Sequence, residues 1–410
     1  MIEMLLLLGI AFLGIYLNVW FLLVASQNKS LLYKKKVAKS FPKISLLIPA
    51  YNEEKSIARC LSSIMKLDYP RNKIETIVIE NGSKDNTAEK VKKFKWAKLI
   101  RIPQANKAIA LNHGLKIAKG EIIGIVDADT IVEKSTLKKM IGYFDDKEVG
   151  AVTNFIKIDR RHGIISRFQE LEYFMSAISK KILSLLDSFY IVPGTLSLVR
   201  KELADEIKFS SDTLTEDMDF ALSLLKKNYK IVTCLDATVR TIIPKTLGAW
   251  MKQRVRWYRG YFENSIKHKD VILSRKYITL GWFVLPIAGY SSIGIGIYLT
   301  FLSFFNLLHS LLISLRSMNY IPLIEQINLA IGNLPKFNID LLFTPYAIVF
   351  FAISIISSLL VIFISLNFAK QIKRRNIYII PFYMFVYYTL IMINWFASLV
   401  LELARRKKKW

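Results

Sequence analysis

The stretch Glu121-Ile122-Ile123-Gly124-Ile125-Val126-Asp127-Ala128-Asp129-Thr130 decides how the rest of the chain is interpreted. Its apolar, β-branched run is typical of a strand that is buried on both faces of a parallel sheet. The run ends in two carboxylates, Asp127 and Asp129. Ligands of open α/β sheets bind outside the carboxyl ends of the strands, so these acids lie where a site is expected. Two hard oxygen ligands suit Mg²⁺ or Mn²⁺ bound to phosphate, whereas the alternative is a solvated turn that caps the next helix.

The sequence before this strand alternates short apolar runs with amphipathic stretches. Strands are predicted at 44–49, 74–80 and 99–102, and each is followed by a helical pattern. Alternation of this kind is typical of a parallel sheet that is covered by helices. The predicted fold is therefore α/β with a mainly parallel sheet over residues 43–241, in which a nucleotide-binding half precedes a more mixed half.

Apolar segments and their flanking charges predict a membrane protein. The chain has 410 residues, of which 53% are hydrophobic, and a formal charge of +26. Residues 4–25 carry no charge and are long enough to cross a bilayer, and six lysines follow between residues 29 and 43. The positive-inside rule then places the domain that follows in the cytoplasm of a multi-pass protein of the cell membrane. The basic residues lie beside apolar segments, so nucleic acid is not expected as a partner.

Further spans are predicted at 277–305, 342–367 and 377–403 from their length and scarcity of charge. The last span raises a conflict, because basic clusters at 370–375 and 405–409 flank it on both sides. Both clusters cannot face the cytoplasm if the segment crosses once. The number of preceding spans favours 370–375 as the cytoplasmic cluster, and the basic tail would then lie outside.

Polar side chains follow the strands at the predicted binding edge. Ala50, Tyr51 and Glu53 follow the first strand, where the ring can pack on a base and the acid can accept a hydrogen bond from base or ribose. The alternative is a strand ended by proline, with an asparagine that caps the next helix. Glu80 follows the second strand and faces the same crevice. Lys107 opens the third helix and can offset the negative charge of a diphosphate, although many such lysines are simply solvated.

Two acids mark the start of a helix in the second half. Asp217 begins this amphipathic helix, where a carboxylate could take a proton from a substrate hydroxyl. Glu216 beside it has a simpler explanation, because an acid there favours the helix dipole. Gly194 and Thr195 precede this helix in a turn where an acceptor could approach closely, and a plain hairpin turn explains them equally well.

A second helix mixes aromatic rings with cations between Trp250 and Tyr261. This pattern is typical of a helix that lies in the membrane interface, which is enough to explain Lys252, Arg254 and Arg259. Two residues suggest more than that. The planar fork of Arg256 suits a departing diphosphate, and the indole of Trp257 suits stacking against a sugar ring.

Four of these motifs resemble those of the family 2 glycosyltransferases with a GT-A fold. The motifs are the cluster at 49–54, the DxD of 127–129, the TED of 215–217 and the QxxRW of 253–257. The likeness extends to membrane-embedded synthases of hyaluronan, chitin, cellulose and poly-N-acetylglucosamine. One departure is Glu80-Asn81-Gly82-Ser83, where the family often has Asp-Asp-Gly-Ser, and it leaves the role of Glu80 less certain.

The resemblance implies an inverting transfer from a UDP-sugar donor, with Mg²⁺ or Mn²⁺ held by Asp129. Asp217 would be the general base, and Gln253 would join Arg256 on the donor side. Glu216 and Trp257 would contact the acceptor together with the Gly194 turn. The implied acceptor is a lipid or a growing polysaccharide, and an accessory membrane subunit is a further expected partner.

The predicted organisation is an anchor at 1–26, a transferase domain at 27–245, an interfacial helix at 246–275 and about three membrane helices within 276–410. Polymer synthesis is preferred, because polar span residues such as Ser291 offer a route for a polar chain. The remaining polar positions of this kind are Ser292, Thr300 and Asn306. One alternative is the transfer of a single sugar to a membrane lipid, as in ceramide glucosyltransferases. The other is a receptor or scaffold without turnover, and the presence of Asp127, Asp129, Asp217 and Arg256 together in this sequence argues against it.

Overall fold

The computed structural model describes residues 2–32, 34–287, 345–368 and 377–404. The chain divides into two compact units, each with its own internal packing. One unit comprises residues 1–24 and 287–364, and the other comprises residues 25–286 and 365–410. The predicted polar positions between Ser291 and Asn306 lie outside the described residues, as does most of the predicted span 277–305.

The second unit contains an eight-stranded mixed sheet with the order β3-β2-β1-β4-β7-β6-β8-β5. Strands β1 to β4 pair in parallel, and β7 pairs antiparallel with both β4 and β6. This arrangement confirms the predicted α/β class with a mainly parallel sheet. The strands are β1 Ile44–Ala50, β2 Ile74–Asn81, β3 Lys98–Ile102, β4 Ile122–Val126, β5 Ile131–Val132, β6 Val149–Ile158, β7 Thr195–Arg200 and β8 Lys230–Thr241.

Helices cover the sheet and continue into the apolar segments. They are α1 Ile2–Gln27, α2 Lys29–Leu32, α3 Ile57–Ile64, α4 Thr87–Lys92, α5 Lys107–Ile117, α6 Thr136–Ile141, α7 Gly163–Leu185, α8 Lys201–Ile207, α9 Glu216–Lys226, α10 Leu247–Lys267, α11 Pro345–Phe368, α12 Ile380–Phe382 and α13 Tyr388–Leu403. A π-helical stretch, Tyr383–Tyr387, joins α12 to α13, so residues 380–403 form one continuous helical segment.

Strand β4 lies at the centre of the sheet, and all five of its residues are buried. Hydrophobic side chains therefore fill both of its faces, as the β-branched sequence predicted. The start of α3 differs from the prediction of an asparagine cap. Asn52 has a left-handed backbone with φ of 56°, and its side chain accepts a hydrogen bond from the Lys84 amide at 2.9 Å. Its side chain thus ties the loop after β1 to the loop after β2, and α3 begins later, at Ile57.

Two helices among the described residues are long and apolar enough to cross a membrane. They are Ile348–Phe368 and Ile380–Leu403, and the shorter apolar helix Ala11–Gln27 lies near the start of the chain. Within the first unit, the Asn18 side chain donates hydrogen bonds to the hydroxyl oxygens of Ser357 at 3.1 Å and Ser358 at 2.9 Å. Polar pairing between two apolar helices is typical of helix packing in lipid.

Candidate active site

The two acids after β4 lie in a tight turn rather than on an extended strand. The Asp127 amide donates to the carbonyl of Gly194 at 2.7 Å, and the Thr130 amide donates back to the carbonyl of Asp127 at 2.9 Å. The Thr241 hydroxyl lies 3.4 Å from a carboxylate oxygen of Asp129. The turn therefore holds both carboxylates against the ends of β7 and β8.

Lys107 joins the DxD turn to the TED helix. Its ammonium nitrogen lies 2.7 Å from Oδ1 of Asp127 and 3.1 Å from Oε1 of Glu216. Burial alone would lower the pKa of Lys107, but the two carboxylates outweigh burial and raise it, so the lysine stays charged. One cation from the start of α5 thus brings two motifs together that are 86–90 residues apart in sequence.

Gly194 makes room for this ion pair. A Cβ atom at position 194 would lie 2.4 Å from the ammonium of Lys107 and 2.4 Å from Oδ1 of Asp127. Any side chain there would push the pair apart. The neighbouring Thr195 has a buried hydroxyl that lacks a hydrogen-bond partner among the described residues. The structure therefore places the Gly194 turn directly against Asp127 of the DxD.

Three carboxylates crowd the end of β4. Burial raises the pKa of Asp129 to about 7, and the nearby charges of Asp127 and Glu53 raise it further. Burial likewise raises the pKa of Glu53, with Asp127 again contributing. The described residues contain no group of three or more His, Cys, Asp or Glu side chains placed to hold a metal ion. A divalent ion that is also bound by substrate phosphates usually takes one or two carboxylates from the protein, and the residues able to supply them here are Asp127 and Asp129.

Asp217 lies partly buried at the start of α9. Burial raises the pKa of Asp217 to about 6, and Glu216 adds to the rise, while Lys107 and Arg256 oppose it. The Met218 amide donates to Oδ1 of Asp217 at 2.9 Å. A carboxylate with this pKa is ionised at neutral pH and still accepts a proton readily.

Helix α10 packs against Leu214 and Thr215, which directly precede helix α9 and Asp217; we call these two residues the TED loop. A Cβ atom on Gly260 would lie 2.3 Å from the Thr215 hydroxyl, so the helix backbone packs directly on that residue. The Asn264 amide donates to the Thr215 hydroxyl at 2.9 Å and to its carbonyl at 3.1 Å. Glu263 accepts from the Leu214 amide at 2.6 Å. These contacts fix the backbone on the N-terminal side of Asp217.

Arg256 of the QxxRW motif belongs to the same contact surface. Its guanidinium donates to the carbonyl of Leu214 at 3.2 Å, and its charge helps to lower the pKa of Asp217. Trp257 is half-buried, and the guanidinium of Arg254 stacks over its ring at 4.3 Å from the centroid. Gln253 is also half-buried, and its carbonyl oxygen has no hydrogen-bond partner among the described residues.

The interfacial-helix explanation of Arg254 and Arg259 needs correction. Both are buried, and each forms an ion pair inside the protein. Arg254 lies 2.6 Å from Glu172, and Arg259 lies 2.9 Å from Glu402. Their charges are therefore neutralised by other helices, whereas Lys252 is exposed as predicted.

Among the residues predicted on the donor side, Tyr51 is exposed, whereas Ala50 and Glu80 are buried within the protein. Tyr51 has 44% of its surface exposed beside the loops, whereas Ala50 is buried at the end of β1. Both oxygens of Glu80 are engaged by protein groups, one by the Ser83 amide and one by Arg101 at 2.9 Å. Burial opposes ionisation of Glu80, but these partners outweigh it and lower its pKa.

Sequence reasoning did not identify Lys180, Glu263 or Asn264. Burial lowers the pKa of Lys180 to about 8, and the charges of Glu172 and Asp217 counteract part of that effect. Glu263 and Asn264 lie one helical turn beyond Gly260, on the face of α10 that also carries Arg256. The helical spacing of Glu263 and Asn264 from Arg256 could have predicted that they share its face of α10.

The sequence model of the family described as "Glycosyltransferase like family 2" matches residues 42–260, more than half of the chain. The chain is 33% identical to the poly-beta-1,6-N-acetyl-D-glucosamine synthase of Staphylococcus epidermidis over 243 residues, which cover 58% of each chain. It is also 33% identical to the enzyme of that name from Staphylococcus aureus strain COL, over 54% of this chain and 55% of the other. The chain therefore spans just over half the length of the curated relatives that it matches.

The fold is similar to that of a solved structure, the mannosyltransferase PcManGT from Pyrobaculum calidifontis in complex with GDP-Man and Mn²⁺. The TM-score is 0.57 and the sequence identity is 22%. The match covers 86% of this chain and 98% of that one. At this identity the likeness supports the GT-A-like α/β fold.

Proposed function

Because the chain belongs to the glycosyltransferase like family 2, we propose that it is an inverting, metal-dependent transferase that uses a UDP-sugar donor. The observation that carries this proposal is the Lys107 bridge between Asp127 and Glu216. It brings the acids of the donor side next to the helix that bears Asp217. Lys107 therefore contacts both the donor-side acid Asp127 and the helix that carries the proposed base.

The proposed chemistry follows from the charges around the two motifs. Asp217, with a pKa near 6, takes the proton of the acceptor hydroxyl as that oxygen attacks the anomeric carbon. Lys107 and Arg256 supply positive charge on the side where the diphosphate departs. Asp129, assisted by Asp127, would hold Mg²⁺ or Mn²⁺, and negative charge on the leaving diphosphate would be stabilised by the ion.

We further propose that the acceptor is a growing polysaccharide and that the catalytic domain faces the cytoplasm. The related synthases named above make poly-N-acetylglucosamine, so UDP-N-acetylglucosamine is the first donor to test. The apolar helices Ile348–Phe368 and Ile380–Leu403 support a site at a membrane. An accessory membrane subunit remains part of the proposal as a further partner.

The test uses purified enzyme in liposomes, given one labelled UDP-sugar at a time. We expect incorporation from one donor, a ladder or long polymer on a gel, and protection of the product inside the vesicles. The Asp217→Asn variant is the matched control and should give about 10²–10⁴-fold less product. A single-sugar glycolipid at every donor concentration would overturn the polymer assignment in favour of lipid glycosylation. No transfer from any UDP-sugar would overturn the donor assignment.

A further inference from the structure

The helical segment 380–403 packs side by side with α10 over much of its length. The indole nitrogen of Trp250 donates to the Tyr387 hydroxyl at 3.1 Å, and the rings of Tyr258 and Trp395 stack with centroids 3.9 Å apart. Farther along, Arg259 pairs with Glu402 at 2.9 Å. Contacts therefore advance in the same direction along both helices, so the two helices have similar orientations.

Helix α10 is not suited to cross a bilayer. Its sequence contains six charged residues, and its C-terminal half is buried against the TED loop through Gly260 and Asn264. Charged side chains within a membrane-crossing helix are costly, and this helix would carry several at mid-depth. The charged residues are Lys252, Arg254, Arg256, Arg259, Glu263 and Lys267. A helix that packs along α10 lies at the same depth as α10, so it does not cross the bilayer either.

The segment 380–403 has two different faces. The face toward the protein buries polar and aromatic groups, among them Tyr383, Asn394 and Ser398. The opposite face exposes large apolar side chains over the whole length, at 58% for Phe382 and 75% for Leu403. The other exposed positions include Phe385, Val386, Ile393 and Val400. An apolar stripe of this kind on one side of a helix is typical of contact with the acyl boundary of a bilayer.

We infer that residues 380–403 lie along the cytoplasmic surface of the membrane, beside α10, and do not cross it. Lipid then covers the outward stripe, while the inward face completes the catalytic unit. In sequence, the basic clusters 370–375 and 405–409 flank this segment, and a segment that does not cross leaves both on the side of the membrane where anionic headgroups attract them. This placement removes the charge conflict that a crossing would create. It rests on the proposed membrane location but not on the transfer reaction.

The first test compares the sides on which the two basic clusters lie. Gln371→Cys and Lys408→Cys are labelled with an impermeant maleimide in intact and in permeabilised cells. The natural thiols Cys60 and Cys234 are buried and give a low background. We expect both new cysteines to label only after permeabilisation, and labelling of both in intact cells would overturn the cytoplasmic placement. Labelling of one in intact cells and of the other only after permeabilisation would show a crossing and overturn the inference.

The second test measures depth along the helix with nitroxide spin labels in liposomes. Labels replace Phe385, Ile393 and Val400, which are all exposed on the outward stripe. We expect all three labels to lie at similar, shallow depths. In a crossing helix, the outer two labels would be separated by about 22 Å along the membrane normal. A middle label far deeper than the outer two would contradict the inference. Positions Ile348, Ile356 and Phe363 on α11 have the same spacing and serve as the reference. Neither readout depends on transferase activity.

Discussion

Asp217 combines the position and the pKa that a general base requires. Asp217→Asn keeps the size and polarity of the side chain but removes its ability to take a proton. We expect turnover to fall by about 10²–10⁴-fold with donor affinity retained. Asp205→Asn is the control, because that acid forms only a surface ion pair with Lys201 and should leave turnover unchanged. Normal turnover in Asp217→Asn, or a loss confined to donor affinity, would contradict the assignment.

The pKa of Asp217 also predicts how the rate depends on pH. Burial raises this pKa to about 6, and the base must be ionised to act. The rate should therefore rise with pH through about 6 and level off above it. Lys107 lowers the pKa of Asp217, so Lys107→Met should move the rise to higher pH in whatever activity remains. Rate profiles that stay flat down to pH 5, or that do not shift in the variant, would argue for a different base.

At the scale of elements, the contact between α10 and the TED loop depends on the absence of a side chain at Gly260. Gly260→Ala would place a methyl group 2.3 Å from the Thr215 hydroxyl and displace the loop. We expect kcat to fall at least about 10-fold. The circular dichroism spectrum should stay native, which would show that the variant is folded. Gly248→Ala is the matched control on the same helix, since no atom lies within 4 Å of its added Cβ. Equal activities of the two variants would show that the loop tolerates displacement.

The elements also show what sequence alone can predict. The strand 122–126 was identifiable because five consecutive buried positions need an unbroken apolar run. Helix α10 was identifiable as a helix, but Arg254 and Arg259 were assigned to the membrane surface. Arg254 and Arg259 instead pair with Glu172 and Glu402, which are 82 and 143 residues distant in sequence. A partner at that distance leaves no periodic signal near the arginine, so the ion pairs could not be predicted.

At the scale of the whole molecule, Glu172 connects three helices. Its Oε2 accepts from Arg254 on α10 at 2.6 Å and from the hydroxyl of Tyr387 at 2.7 Å. Glu172→Gln would leave the buried guanidinium uncompensated, which typically costs about 3–5 kcal/mol of unfolding free energy. We expect a clearly lower melting temperature in detergent. Glu89→Gln removes an exposed pair with Lys92 and should change the melting temperature little. Similar melting temperatures for both variants would refute this role of Glu172.

The acids crowded around Lys107 have a consequence for the order in which ligands arrive. Among the described residues, carboxylates outnumber cations around Lys107: Glu53, Asp127, Asp129, Glu216 and Asp217 lie beside Lys107, Lys180 and Arg256. A free nucleotide diphosphate would approach against this excess of negative charge, so the species that enters should be the nucleotide already joined to its divalent ion.

Equilibrium binding of a UDP-sugar to the enzyme in nanodiscs tests this order. In EDTA we expect weak binding that strengthens as salt screens the repulsion, and tight binding once Mg²⁺ or Mn²⁺ is added. The idea would be wrong if the affinity in EDTA at low salt equalled the affinity with metal, because the nucleotide would then bind without a divalent ion. Weak binding in EDTA together with tight binding in the presence of the metal would instead show that the crowded acids act as a gate, which admits the donor only with its counter-ion before any bond is broken.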